Sequence, residues 1–95
     1  MNNIAVGAER MDLISKLIDQ LNRSGIDTGH AMRFSKAGEW GLSFQELYFA
    51  ARSNQKVYSD LRLTLDQLDE FFEQDQYLVK HCGFPLRFTS NNDGP

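Results

Sequence analysis

The sequence predicts an α+β domain, mostly helical, in which three amphipathic helices cover a small antiparallel sheet. Three observations carry that expectation. Apolar residues recur at spacings of three and four in Glu9–Ser24, Ser43–Ser53 and Thr64–Cys82. They alternate with polar ones around Met32–Leu42 and Leu86–Phe88. Hydrophobic residues make up 41% of 95 residues and aromatics 12%, enough for one packed core and too few residues for two. The alternative is an all-α bundle in which the short alternating segments are loops.

Met1–Ala8 is weakly patterned and is expected to fray, with Ile4 and Val6 available to pack as a short extended arm. In Glu9–Ser24 the residues Met11, Ile14, Leu17, Ile18 and Leu21 line one face, opposite Asp12, Lys16, Asp19 and Arg23, and Gly25 ends the helix. The same face has the spacing of a dimer seam, although two to three turns of it are ordinary core packing.

The period then changes. Met32 and Phe34 alternate with Arg33 and Ser35, and after Lys36-Ala37-Gly38 come Trp40 and Leu42 around Gly41, which reads as a hairpin. Pro85–Thr89 repeats the scheme, with Leu86 and Phe88 on one side. Ser43 with Glu46 forms a capping box for the next helix, whose inner face is Phe44, Leu47, Tyr48 and Ala51, with Phe49 broadening it. Ser53-Asn54-Gln55 breaks it.

Thr64 with Gln67 is a second capping box, and Gly83 followed by Pro85 terminates the run that it opens. Leu65, Leu68, Phe71, Phe72, Leu78, Val79 and Cys82 form its oily stripe, with Asp66, Asp69, Glu70 and Glu73 opposite. Asp75 falls on the stripe, so it either marks a kink near Gln74 to Gln76 or is buried and paired with Arg52 or Arg87. Residues 1–89 therefore read as one globular domain, and 90–95, SNNDGP, as a disordered polar tail.

Net charge is −3, too balanced to mark a nucleic-acid or membrane partner. Its distribution says more: Arg23–Arg62 holds six bases against four acids, whereas Thr64–Gln76 holds five acids and no base. The pairs Asp66/Glu70 and Asp69/Glu73 place like charges one turn apart, a small cost that invites a reason. Docking on a basic patch is the functional reason; a solvated face near a helix N-terminus is the plain one.

No catalytic, cofactor or metal constellation emerges. His81 and Cys82 are adjacent on a helix and diverge by about 100°, His30 is the only other histidine, and Cys82 on an apolar stripe is a core residue before it is a nucleophile. Gly38-Glu39-Trp40-Gly41 is no phosphate loop. A helix-turn-helix across Ser43–Leu61, reading DNA with Lys56–Arg62, fits poorly because that helix carries only two bases. One cysteine, no secretory signal and no apolar run of membrane-spanning length point to a soluble cytoplasmic protein.

Eleven aromatic residues and three amphipathic helices imply more apolar surface than one small core consumes. The expected function is thus a small non-enzymatic regulator (inhibitor, adaptor or antiactivator) that occludes a larger protein carrying a basic patch. It is expected to act as a homodimer, without cofactor, with Trp40, Tyr48 and Phe49 as anchors and Asp66, Asp69, Glu70 and Glu73 as the charged rim. A helix-turn-helix-like transcriptional regulator is the alternative.

Overall fold

A computed structural model describes residues 4–89. Five helices follow one another: α1 Ala8–Arg23, α2 Gly29–Lys36, α3 Trp40–Arg52, α4 Gln55–Phe72 and α5 Gln76–Cys82, with a 3₁₀ turn at Leu86–Phe88. Among the described residues there is no strand, so the expected sheet is overturned and the all-α alternative describes the architecture. The tail 90–95 lies outside the described residues.

Helix α1 forms as its spacing dictates. Ile14, Leu17 and Leu21 are buried, while Asp12–Lys16 and Asp19–Arg23 pair one turn apart on the outer face. Ile4 and Val6, ahead of it, pack against the same core.

The segment read as a hairpin is α2, a tight turn and the first turn of α3. In so short a stretch alternation and helical spacing share residues, and burial decides between them: Thr28 and Ala31 are buried and Phe34 half-buried, at spacings of three, while Met32 faces out. Lys36-Ala37-Gly38 is a helix terminator. Gly38 takes φ +78°, its N–H donates to the Ser35 carbonyl and that of Glu39 to the Phe34 carbonyl, the paired bonds of a Schellman motif.

Helix α3 is the central element. It begins at Trp40, three residues before the expected Ser43. Ser43 caps nothing; it is buried, and its hydroxyl donates to the Ala31 carbonyl at 2.7 Å, joining α3 to α2. Phe44, Leu47, Tyr48 and Ala51 are buried along α3, and the Phe44 ring stacks on Phe72 of α4 at 5.5 Å between centroids.

The expected helix Thr64–Cys82 is two helices with different bounds. Asn54 caps α4 through its Oδ1, which accepts from the Val57 N–H, and the helix passes straight through Thr64. Tyr58, Leu61, Leu65, Leu68 and Phe72 run at alternating spacings of three and four, so the inward stripe is continuous from the first turn and a local capping box cannot interrupt it. The break comes at Glu73–Asp75. Asp75 is buried as the N-cap of α5, its Oδ1 accepting from Tyr77 N–H at 2.9 Å and Leu78 N–H at 3.4 Å. Of its two expected roles the kink is observed; the pairing with Arg52 or Arg87 is not, since those arginines bind elsewhere.

Helix α5 is held down by close approach to α3. A Cβ built on Gly41 would stand 2.5 Å from Leu78 Cδ1 and 3.0 Å from Cδ2, so a larger residue would oblige the Leu78 side chain to shift from this seat. Gln45 Nε2 donates to the Cys82 carbonyl at the other end of the contact. Gly41→Ala is therefore expected to cost about 1–3 kcal/mol in urea unfolding despite alanine's better helix propensity. In the Leu78→Ala background the same change should cost less, a positive coupling read from the double-mutant cycle.

Candidate functional site

The outward face of α4 collects the residues with the most to offer a partner. Leu63 stands two positions from Leu61 and two from Leu65, both of which point inward, so helical geometry turns it out; it is 80% exposed. Asp66 and Glu70 lie one and two turns on from it, and Glu73 a further turn along the same side. Asp66 is thus the acid nearest the exposed leucine, with Glu70 and Glu73 about 10 Å and 15 Å from that leucine along the axis.

Asp69 does not belong to that rim. It is fully buried, and the polar groups around it explain why a carboxylate is stable there: Oδ1 accepts from Leu86 N–H at 2.8 Å, and Oδ2 from Arg87 N–H at 3.0 Å and Arg87 Nη1 at 2.9 Å. The other guanidinium nitrogen of Arg87 donates to Glu73 Oε1. Burial of Arg87 works against its charge, but the bonds and charges of Glu73 and Asp69 outweigh that and hold its pKa above the ordinary value. The result is a latch that fastens the C-terminal segment to α4.

A second clamp comes from α3, where Arg52 donates to Thr89 Oγ1 at 3.1 Å and to the Thr89 carbonyl at 3.4 Å. Between the two, Phe88 projects with 75% of its surface exposed and the Arg87 guanidinium 4.7 Å over its ring. Leu63, Phe88 and the acids Asp66, Glu70 and Glu73 therefore belong to α4 and the segment latched onto it.

The expected anchors divide. Tyr48 is wholly buried, its hydroxyl 3.2 Å from that of Tyr58, so it is a core residue and no surface anchor. Burial first, then the hydrogen bond and charge of Tyr58, with Asp66 and Asp69 adding to them, push its phenol far above the ordinary tyrosine range. Phe49 is 45% exposed beside it, ring edge against Tyr48. Trp40 is half-buried nine residues from Phe49, about 13 Å along α3, and faces a different part of the molecule with α5.

Two of the acids are also less free than a bare rim requires. Asp66 Oδ2 pairs with Arg62 Nε at 3.4 Å, and its buried Oδ1 has no hydrogen-bond partner among the described residues. Glu73 pairs with Arg87, which leaves Glu70 as the rim acid without an ion pair among the described residues. Leu63 and Phe88 were missed by sequence reasoning. Leu63 becomes legible once α4 is known to begin at Gln55, because Leu61 and Leu65 cannot share a face with it; Phe88 carries no comparable signal.

Cys82 is half-buried, its thiol pKa raised by burial and by the Asp75 charge, which disfavours the thiolate. No described helix is long and apolar enough to cross a membrane. Protein-family models, curated proteins and solved structures contain no match to this chain.

Removing one partner of the latch separates its two halves. Asp69→Asn leaves a buried, half-compensated guanidinium and is expected to lower unfolding free energy by about 3 kcal/mol or more. Glu73→Gln, at a position over a third exposed, should cost less than about 1 kcal/mol. Urea titration followed by circular dichroism checks both.

Tyr48 sets an alkaline limit. Its folded pKa lies above the unfolded value of about 10, so its contribution is complete below that pH and is lost as pH rises, when the unfolded chain releases a proton that the folded chain keeps. Stability should fall above pH ~10, and Tyr48→Phe should flatten that fall while costing about 1 kcal/mol at neutral pH.

Proposed function

We propose that this protein is a non-enzymatic regulator, an inhibitor, adaptor or antiactivator, that works by covering a basic surface of a larger protein with the face formed by α4 and the latched C-terminal turn. One observation carries the reading: Leu63 and Phe88, at 80% and 75% exposure, are the most open large apolar side chains among the described residues, with Asp66 one turn from Leu63 and Glu73 tied to the Arg87 that lies over the Phe88 ring. Exposed leucine and phenylalanine held on fixed backbone suit the apolar centre of an interface, and acids around them choose a basic counterpart and exclude acidic ones. Occlusion of this kind needs area and charge and asks no chemistry of the side chains.

The rim consists of Asp66, Glu70 and Glu73, and Phe49 remains a flanking anchor on α3. Tyr48 and Asp69 serve the fold that presents them. Action as a homodimer belongs to the same proposal and is tested by light scattering. So does a cytoplasmic setting, which suits a lone reduced cysteine. The DNA-binding alternative has less behind it, because Lys56 pairs with Asp60 at 3.3 Å and Arg62 with Asp66, so both bases of the supposed reading helix are already neutralised one turn away.

The test is affinity for a protein that co-purifies with the native chain. Leu63→Ala and Phe88→Ala should each weaken binding by about tenfold or more, which is ~1.4 kcal/mol, with the far-ultraviolet spectrum unchanged. Glu70→Lys should slow association and reduce its salt dependence. Calorimetry showing full affinity in all three variants would remove this face from the mechanism.

A further inference from the structure

On the part of the molecule that holds Trp40, a partly open cavity of about 310 Å³ is lined by Ile4 and Val6, the α2–α3 turn, the first turn of α3, the end of α4 and α5. That is the lower end of the range of small-ligand clefts, about 300–1,000 Å³. Its apolar lining is Ile4, Val6 and Leu42, partly buried, with the nearly buried Phe72 and Leu78 behind them; Trp40 and Tyr77 supply two aromatic rings, neither of them fully buried; Glu39 and Asp75 are its charged groups. Among the described residues its lining contains no lysine, arginine or histidine.

The two acids differ in what remains to them. Asp75 holds the first amides of α5 through Oδ1, so much of its charge is already met. Glu39, although it stands at the N-cap position of α3, makes no side-chain cap bond and, among the described residues, no ion pair, and it is exposed. The Trp40 indole N–H likewise has no acceptor among the described residues. Two aromatic rings, that of Tyr77 also 4.8 Å from the His81 ring, an exposed carboxylate and apolar side chains in one recess suit a cation on an alkyl stem: the rings attract its charge, Glu39 pairs with it and the aliphatic side chains take the methylenes.

We infer that this cavity is a binding site for an alkyl-guanidinium or alkyl-ammonium group. The group has the same chemistry whether it arrives as a free small molecule or as the side chain of a protein, and the site is distinct from the α4 face.

Trp40 is the only tryptophan in the chain, so its emission reports occupancy directly. Titration of the whole protein with n-butylguanidinium should give a saturable change with a dissociation constant on the order of 1 mM or tighter, and n-pentanol a response at least about tenfold weaker. Glu39→Gln should weaken the cation about tenfold and leave the alcohol unaffected, and Tyr77→Ala, at an exposed position, should weaken the cation with the helical spectrum intact. N-acetyl-arginine N-methylamide binding more tightly than n-butylguanidinium assigns the site to a protein side chain; the reverse order assigns it to a free small molecule. Absence of saturation with both cations, equal affinity for pentanol, or an unchanged constant in Glu39→Gln overturns the inference.

Discussion

The buried carboxylate of Asp69 is the constraint on which the surface of this protein depends. A fully desolvated charge is tolerable only when its lone pairs are occupied and an opposite charge is in contact, and both conditions are met by a single dipeptide, Leu86-Arg87, through two backbone amides and a guanidinium. The segment after α5 has no helix to hold it in place. Asp69 on one side and the Arg52–Thr89 clamp on the other bracket Phe88 and fix the course of its backbone. The apolar insertion of Leu86, fully buried in the core, works in the same direction.

Around that latch the helices are arranged by α3. It touches α2 through the Ser43–Ala31 hydrogen bond, α4 through the Phe44–Phe72 stack, α5 through the Gly41–Leu78 approach and the C-terminal segment through Arg52. A helix in contact on so many sides has little outer face left, and Phe49 is the large residue on that remnant. In α4 the burden is divided differently: one stripe enters the core, the next position around holds the buried Asp69, and the remainder faces outward with Leu63 and the acids. The four acids that look like one cluster in sequence therefore do two jobs, set by angle around the helix alone.

Much of this was legible in the residues themselves. The α1 face, the Ser53–Asn54 break, the chain reversal at Gly38 and the disturbance near Gln74 to Gln76 were all marked by periodicity, glycine or a misplaced polar residue. What was not legible follows from the limits of local signals. Met32–Leu42 is too short for alternation to exclude a helix, and two of its apolar residues, Met32 and Phe34, end up with different exposure. Thr64-x-x-Gln67 satisfies the capping pattern but is overruled by the uninterrupted stripe from Tyr58 to Phe72, because tertiary burial outweighs one cap worth about 1 kcal/mol. Tyr48 looked like an anchor because aromatic residues occupy cores and interfaces alike; only the packing of α4 and α3 separates it from Phe49. Asp69 could not be told from Glu70 until the position of Arg87, eighteen residues on, was known.

The same geometry bears on why the like charges along α4 are tolerated. Four carboxylates within three turns would repel one another if all were bare, by a few tenths of a kcal/mol per adjacent pair. Arg62 and Arg87 approach from opposite ends of the group, one along the helix and one from the latched segment, and engage Asp66, Asp69 and Glu73 between them. The repulsion is thereby reduced where the chain must pack; of the negative charge that remains, one part is at exposed Glu70 and the other is shared by Asp69 and Glu73, which have one guanidinium between them. Glu70 lines a shallow hollow with Gln67 and Leu68 of α4 and with Glu9, Arg10 and Leu13 of α1.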